Sequence, residues 1–305
     1  MKQKLHKELG VLLEFYNQQR TNPPEEFTCR AGLISKPSFF TLKDFQRHLN
    51  NPLLKPEWIH IKTAGQMVPT DAALLSKNIQ QRHLYFMDKE LINQELNKGA
   101  AIVLEGLDIL DPSINAFCAK LDEGLPCGIA NSVAFFSQQQ NEAYEGHADS
   151  DDVLVVQLDG RKTWHLFEPQ QRRYLGNENL NDEKLGPFKH KITLRPGDAL
   201  YVRAGVPHRC TTEGDFSLHM SFDLLDRTPN VEQITSEAND LYYHACELPY
   251  APGSKVVDKY IEILKSPDFQ AALKDETDDV ANIIREYRQK ISRASGVRGL
   301  SKFIS

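Results

Sequence analysis

No segment of the 305 residues approaches the roughly eighteen consecutive apolar residues of a membrane-spanning helix. The opening stretch MKQKLHKELGVLLEFYNQQR reads as a short amphipathic helix, and its longest apolar run, Gly10 to Leu13, is too short for the core of a signal peptide. Cysteine is sparse: Cys29, Cys118, Cys127, Cys210 and Cys246 are scattered, odd in number and free of any CxxC pair. That excludes a disulfide framework and a zinc knuckle, and it fits a reducing, cytoplasmic compartment. An excess of positive charge is also lacking. Against 42 acidic residues stand 36 lysines and arginines, a net charge of −6, so no direct nucleic-acid or membrane partner is expected and a basic partner is the easier one. Internal repeats and low-complexity tracts are absent as well.

Apolar residues make up 40% of the chain, enough for one large domain or a core with appendages. Residues 1–95 form an α/β lead-in, in which Thr41 can cap a helix through Leu42, Phe45 and Leu49 and Trp58-Ile59-His60-Ile61 alternates like a strand. Ala100 to Leu104 reads as a buried strand, and Asp111-Pro112 supplies a cap and a first-turn proline for a helix carrying Ile114, Phe117, Cys118 and Leu121. From Cys127 to about Leu225 come short β-rich runs: Ser132–Phe136, Val153–Leu158, Lys162–Phe167, Lys191–Leu194, Ala199–Val202 and Ser217–Phe222. Such spacing predicts a sandwich or barrel. Arg195-Pro196-Gly197-Asp198 has the residues of a type II turn, and Gly160 to Trp164 is expected to turn into the next strand.

After Asp226 the pattern is helical. Val256, Val257, Tyr260, Ile261 and Leu264 form one apolar stripe, and Val280, Ile283, Ile284, Tyr287 and Ile291 form another. Ser266-Pro267 can cap a short helix between them, bearing Phe269 and Leu273. The second stripe either pairs two copies in a homodimer or covers its own barrel.

His147 and Asp149, with His208 further on, make an HxD…H arrangement. Two imidazoles and a carboxylate on one face of an octahedron can hold one divalent iron and leave positions open for a chelating co-substrate and oxygen. HxD is a short motif, but residues two apart on a strand share a face, so both side chains can point into a barrel mouth while a later strand supplies the second histidine. Ser221 and Asp223 share a strand face with His219, and of the three Ser221 is favoured to line a co-substrate pocket, because a hydroxyl donates to a carboxylate without adding negative charge. Asp151 reads as a solvated loop residue, whereas Asp152 can orient a neighbouring ligand. Trp164 is expected to pack in the sheet. His6, His48, His60, His83, His165, His190, His219 and His244 lack ligand spacing and read as surface or core residues.

The run from His147-Ala-Asp149 through Asp152-Val153 and Gln157-Leu-Asp-Gly160-Arg-Lys162-Thr-Trp164, with Arg195-Pro-Gly-Asp198 and Pro207-His208, resembles the JmjC-type 2-oxoglutarate oxygenases, especially the cupin-like ribosomal oxygenases and the factor-inhibiting-HIF-like hydroxylases. The resemblance covers residues 96–226 well and the flanks loosely. It implies a mainly β fold with flanking helices: a double-stranded β-helix over 96–226, with a helical region over 227–305. It also implies iron(II) on His147, Asp149 and His208, with 2-oxoglutarate and O2 as co-substrates. Lys162 would hold the distal carboxylate, a task for which an ammonium is chemically suited, and Asn131 would contact the co-substrate. The family's glycine- and proline-rich loop before the first ligand is replaced here within Ser137–Gly146, which holds Tyr144 and Gln138-Gln139-Gln140-Asn141-Glu142. The activity implied is hydroxylation of an amino-acid side chain in a protein or peptide, either a ribosomal protein or a natural-product precursor peptide. N-methyl demethylation by the same chemistry, a non-oxygenase metal cupin and a catalytically silent binding module stay open at this point.

Overall fold

The computed structural model describes residues 2–63, 66–69, 73–125, 128–138, 146–169, 178–180, 184–226, 238, 241, 253–274, 282, 283, 286, 288 and 290. The chain divides into two compact units, residues 1–124 with 130–224 and residues 125–129 with 225–305. The lead-in therefore shares a unit with the β-rich segment, because strands from both enter one sheet.

The first half of the chain supplies α1 (Lys2–Thr21), β1 (Phe27–Arg30), α2 (Leu42–Leu49), β2 (Ile59–Thr63), β3 (Gln66–Val68), β4 (Leu74–Ile79), β5 (Arg82–Met87), α3 (Lys89–Asn97), β6 (Ala101–Leu104), α4 (Leu107–Leu110) and α5 (Pro112–Leu121). Then follow β7 (Gly128–Gln138), β8 (Gly146–Ala148), β9 (Asp152–Phe167), β10 (Glu178–Leu180), β11 (Phe188–Leu194), β12 (Ala199–Val202) and β13 (His208–Asp226). The caps read from sequence form. Thr41 and Asp44 make a reciprocal capping box on α2, and the Asp111 carboxylate accepts from the amides of Ser113 and Ile114 at the start of α5.

The main sheet runs β1-β12-β9-β13-β7-β6-β2-β3, with β11 against β9 and β8 against both β13 and β10. β4 and β5 form a separate hairpin. The two long strands β9 and β13 organise everything else. The first leg of β9, Val153–Val156, pairs with β12 and with the Met220–Asp223 stretch of β13. Its second leg, Lys162–Phe167, pairs with β11 and with the His208–Thr212 stretch of β13. Val153 and Val155 from one leg meet Trp164 and Leu166 from the other in one core cluster, joined by Leu194, Leu200 and Val202. One strand pair thus serves two facing sheet legs.

The turn expected between Gly160 and Trp164 is not made. β9 is one continuous 16-residue strand, and Gly160, at φ +62°, lies at a shift in its pairing with β13. There β13 carries three extra residues between Glu213 and Ser217, and β9 one extra between the partners of Leu218 and His219. A side chain on Gly160 would put its Cβ 2.0 Å from the Phe216 carbonyl oxygen, so only glycine fits. The type II turn at Arg195–Asp198 does form: the Asp198 amide donates to the Arg195 carbonyl at 2.9 Å, and Gly197 sits at φ +92°.

Helices cover the outer face. Phe117 of α5 lies edge-on to Phe222 of β13, their centroids 5.0 Å apart, and the Tyr16 hydroxyl of α1 donates to the Leu121 carbonyl at 2.8 Å. In the second unit, α6 (Gly253–Leu264) carries the first C-terminal stripe. Residues 267–274 are helical as expected, with the Ser266 hydroxyl accepting from the Phe269 amide at 3.2 Å. Ile263 and Phe269 are buried there with Ala238. Of the second stripe, Val280, Ile284, Tyr287 and Ile291 lie outside the described residues, and Ile283 is exposed. No described helix is long and apolar enough to cross a membrane.

Candidate active site

β8 lies antiparallel to β13 with His147 directly opposite His208, and Asp149 follows one residue after β8 ends. The three side chains converge, their ligand atoms all within 4.8 Å of one another. Asp149 has one carboxylate oxygen 3.8 Å from His147 Nε2 and the other 3.7 Å from His208 Nε2. An ion held at about 2.1 Å needs donors about 3 Å apart on one octahedral face, so small side-chain movements close this set around it. His208 is prepared for that role. Its Nδ1 donates to the Val206 carbonyl at 3.0 Å, and because a carbonyl only accepts, the proton of the neutral ring is on Nδ1 and the Nε2 lone pair faces Asp149. Burial lowers the His208 pKa, which keeps the ring neutral, and raises that of Asp149, with His147 opposing. The donor set fits a divalent ion.

These residues line a cavity of about 420 Å³. Lys162 lines it too, buried among hydroxyls: Nζ donates to Ser137 Oγ and to Thr212 Oγ1, each at 3.0 Å. Its pKa is pulled down to about 8 by burial, with Cys210 opposing, and burial pushes the neighbouring Cys210 thiol up to about 12. Removed from water, the ammonium has no carboxylate partner among the described residues, and that is the environment that favours an incoming anion. Ser221 lines the same cavity, with His219 and Asp223. Asn131 does not. Val133, Phe135 and Ser137 of β7 line the cavity, and Asn131 lies two residues further along that strand. Tyr144 and the glutamine-rich residues 139–142 lie outside the described residues.

Two contributors carried no local sequence signal, and three more do other work than the sequence suggested. Ser137 and Thr212 meet each other and Lys162 only through the fold. Trp164, expected to be mere sheet packing, stacks on the His208 ring, their centroids 5.0 Å apart, and its buried indole N–H has no protein acceptor among the described residues. His219 is buried, but it is a wall of the cavity as well: it stacks on Phe135, and its Nδ1 has no protein partner among the described residues. Asp223 brings acid to the same space. Burial first, then Asp149, Glu105 and Asp151, push its pKa up to about 7.

Residues 111–234 match the JmjC domain family. The chain is 26% identical over 216 residues to the bifunctional lysine-specific demethylase and histidyl-hydroxylase NO66 of Dictyostelium discoideum, an alignment covering 69% of this chain and 40% of that one. It is 28% identical over 121 residues to ribosomal oxygenase 1 of Rattus norvegicus, covering 38% of this chain and 20% of the relative. The chain therefore spans less than half the length of these relatives. Among solved structures, E. coli ycfD shares the fold at a TM-score of 0.52 and 15% identity, covering 83% of this chain and 68% of its own. A second structure of that protein, a ribosomal oxygenase in complex with cobalt and 2-oxoglutarate, superposes at a TM-score of 0.50 and 13% identity. The converging His-Asp-His set thus lies inside the segment that matches the JmjC domain family, and the strands that carry it are arranged as in E. coli ycfD.

Proposed function

We propose that this protein is an iron(II)- and 2-oxoglutarate-dependent oxygenase that hydroxylates an amino-acid side chain of a protein or peptide. One observation carries the reading: a single cavity holds both the His147-Asp149-His208 set and a buried ammonium, Lys162, with no carboxylate to neutralise it among the described residues. The names of the relatives, a histidyl-hydroxylase and a ribosomal oxygenase, support protein substrates. Bound at this site, iron(II), 2-oxoglutarate and O2 supply the oxidising power needed to attack an unactivated C–H bond.

The chain's own residues bind, orient and keep water out. His147, Asp149 and His208 would hold the metal, and with only three protein donors they would leave it room for the co-substrate and oxygen. Lys162 takes the far carboxylate of the co-substrate, while Ser137 and Thr212 hold the ammonium in place and Ser221 offers a further hydroxyl. Val133, Phe135, Val153 and Trp164 make much of the remaining wall apolar, which strengthens the charge contacts inside. A cytoplasmic location is part of this reading, supported by cysteines that are free among the described residues, and so is a homodimer through the C-terminal helices, which sedimentation would register as twice the chain mass.

The reading is tested by anaerobic calorimetry with Mn(II) and 2-oxoglutarate, followed by mass spectrometry of cell-extract proteins and peptides. Lys162→Ala is expected to weaken 2-oxoglutarate binding by about 10- to 100-fold, the worth of a charge-assisted contact, and to leave Mn(II) binding intact. A non-oxygenase cupin would be indifferent to that substitution. Gain of one oxygen on a peptide identifies hydroxylation, loss of a methyl group identifies demethylation, and a wild-type protein that binds neither metal nor 2-oxoglutarate would be a silent module.

A further inference from the structure

We infer that Asp152 is a positioning residue for the metal centre, acting through the loop 203–207 on both Asp149 and His208. The inference rests on the iron reading above.

The loop joins β12 to β13 and touches each of those two ligands once. The Gly205 amide donates to the Asp149 carbonyl at 2.8 Å, and the Val206 carbonyl accepts from His208 Nδ1 at 3.0 Å. Asp152 fixes the loop from the other side. Its Oδ1 accepts from the Ala204 amide at 2.8 Å and from Arg203 Nε at 3.1 Å. Successive amides, Ala204 and Gly205, are thus both given to the segment 149–152, one to a backbone carbonyl and one to a carboxylate. Gly205 at φ +79° gives the backbone the turn this requires. Asp152 is buried and opens β9 three residues after Asp149, so the strand start that follows one ligand also holds the loop whose carbonyl orients the other.

The two oxygens of Asp152 have separate duties. Oδ1 takes the loop, while Oδ2 accepts from the Tyr201 hydroxyl at 2.7 Å and faces Arg20 of α1 at 3.7 Å, contacts that tie the helix to the sheet without reaching a ligand. That division separates positioning from plain stability. Removing the Oδ1 contacts should loosen the metal site; removing an Oδ2 contact should cost stability alone.

The experiment is anaerobic Co(II) titration of the full chain, read by calorimetry and by the visible absorption of the bound ion, with thermal unfolding recorded for every variant. Asp152→Ala is expected to bind Co(II) 10- to 100-fold more weakly with an altered visible band, the range for losing a group that orients a metal ligand. Asp152→Asn, which keeps an acceptor for Ala204, is expected to recover most of the affinity. Tyr201→Phe should unfold at lower temperature yet bind Co(II) as wild type does. If Asp152→Ala does not fold, Arg203→Ala removes one Oδ1 contact from a partly exposed side chain and should weaken Co(II) binding several-fold. The inference is overturned if folded Asp152→Ala, or failing that Arg203→Ala, binds Co(II) like wild type, or if Tyr201→Phe loses as much affinity as Asp152→Ala. Wild type binding no Co(II) sinks the iron reading and this inference together; wild-type binding with an indifferent Asp152→Ala sinks the inference alone.

Discussion

Burial gives Lys162 a titration near neutral pH. The folded value of about 8 lies below the ordinary 10.5, so between the two the unfolded chain binds more protons than the folded one. The ligand-free protein therefore gains stability as pH rises through that window. Binding of a dicarboxylate needs the charged form, so 2-oxoglutarate affinity should fall as pH climbs above about 8, and calorimetry with Mn(II) from neutral to alkaline pH checks it. A Kd flat across that range would remove Lys162 from the binding step. Trp164 makes a second residue-level test. Trp164→Phe keeps a ring against His208 and should retain metal affinity, whereas Trp164→Ala leaves a hole in the core and should lose about 3–5 kcal/mol of stability in urea unfolding. The ligand set was legible because each of its residue types has a chemical meaning at its spacing, and Lys162 because its register matches a known family. Ser137 and Thr212 were illegible for the opposite reason: a serine and a threonine on separate strands acquire a role only when the sheet brings them together. On β7, Asn131 and Val133 share a strand face, and strand periodicity alone does not tell which of them reaches the cavity wall.

At the scale of elements the strand pair β9–β13 decides which residues face inward. On β13 the inner residues are His208, Cys210 and Thr212, all even; past the three extra residues they become His219, Ser221 and Asp223, all odd. β9 switches the other way, from Val153 to Lys162 and Trp164. Strict alternation from His208 would have turned Met220 and Phe222 into the cavity, and Phe222 in fact packs on α5. Simple strand periodicity carries no information about such a switch, which is why the sequence reading divided β9 at a turn. Helices α2 and α5 and their caps were read correctly because those signals are local: Thr41 and Asp111 each cap within three residues. Gly160→Ala should test the switch. The Cβ would lie 2.0 Å from a backbone oxygen at a φ of +62°, and the expected loss is roughly 2–5 kcal/mol in urea unfolding, combining backbone strain with overpacking. Gly197→Ala, 1.7 Å from the Ile34 oxygen, should cost as much. Both variants behaving like wild type would mean that the strand pair tolerates a register other than the one described.

For the molecule as a whole, ligand binding and stability are one equilibrium. A metal and co-substrate that bind only the folded chain should raise its unfolding temperature, by about 2.7 kcal/mol of added stability at a hundredfold excess over Kd. Thermal unfolding with Mn(II) and 2-oxoglutarate, against a chelated control, is expected to show the rise in wild type and not in His208→Ala. The net charge of −6 predicts weak salt dependence of any nucleic-acid contact and a preference for basic protein surfaces. Fold class was within reach of the sequence at this scale because strand spacing and a long familiar run agree, while the chain's share in a larger activity was not, since it spans only 40% of the NO66 relative. One property of β13 reaches further than its place in the sheet. His208 at the metal end and Thr212 beside Lys162 are four residues apart on that strand, about 14 Å of extended backbone. Because one continuous strand carries both, the backbone holds the two ends of the cavity in fixed relation, and a substitution at either end leaves the other where it is.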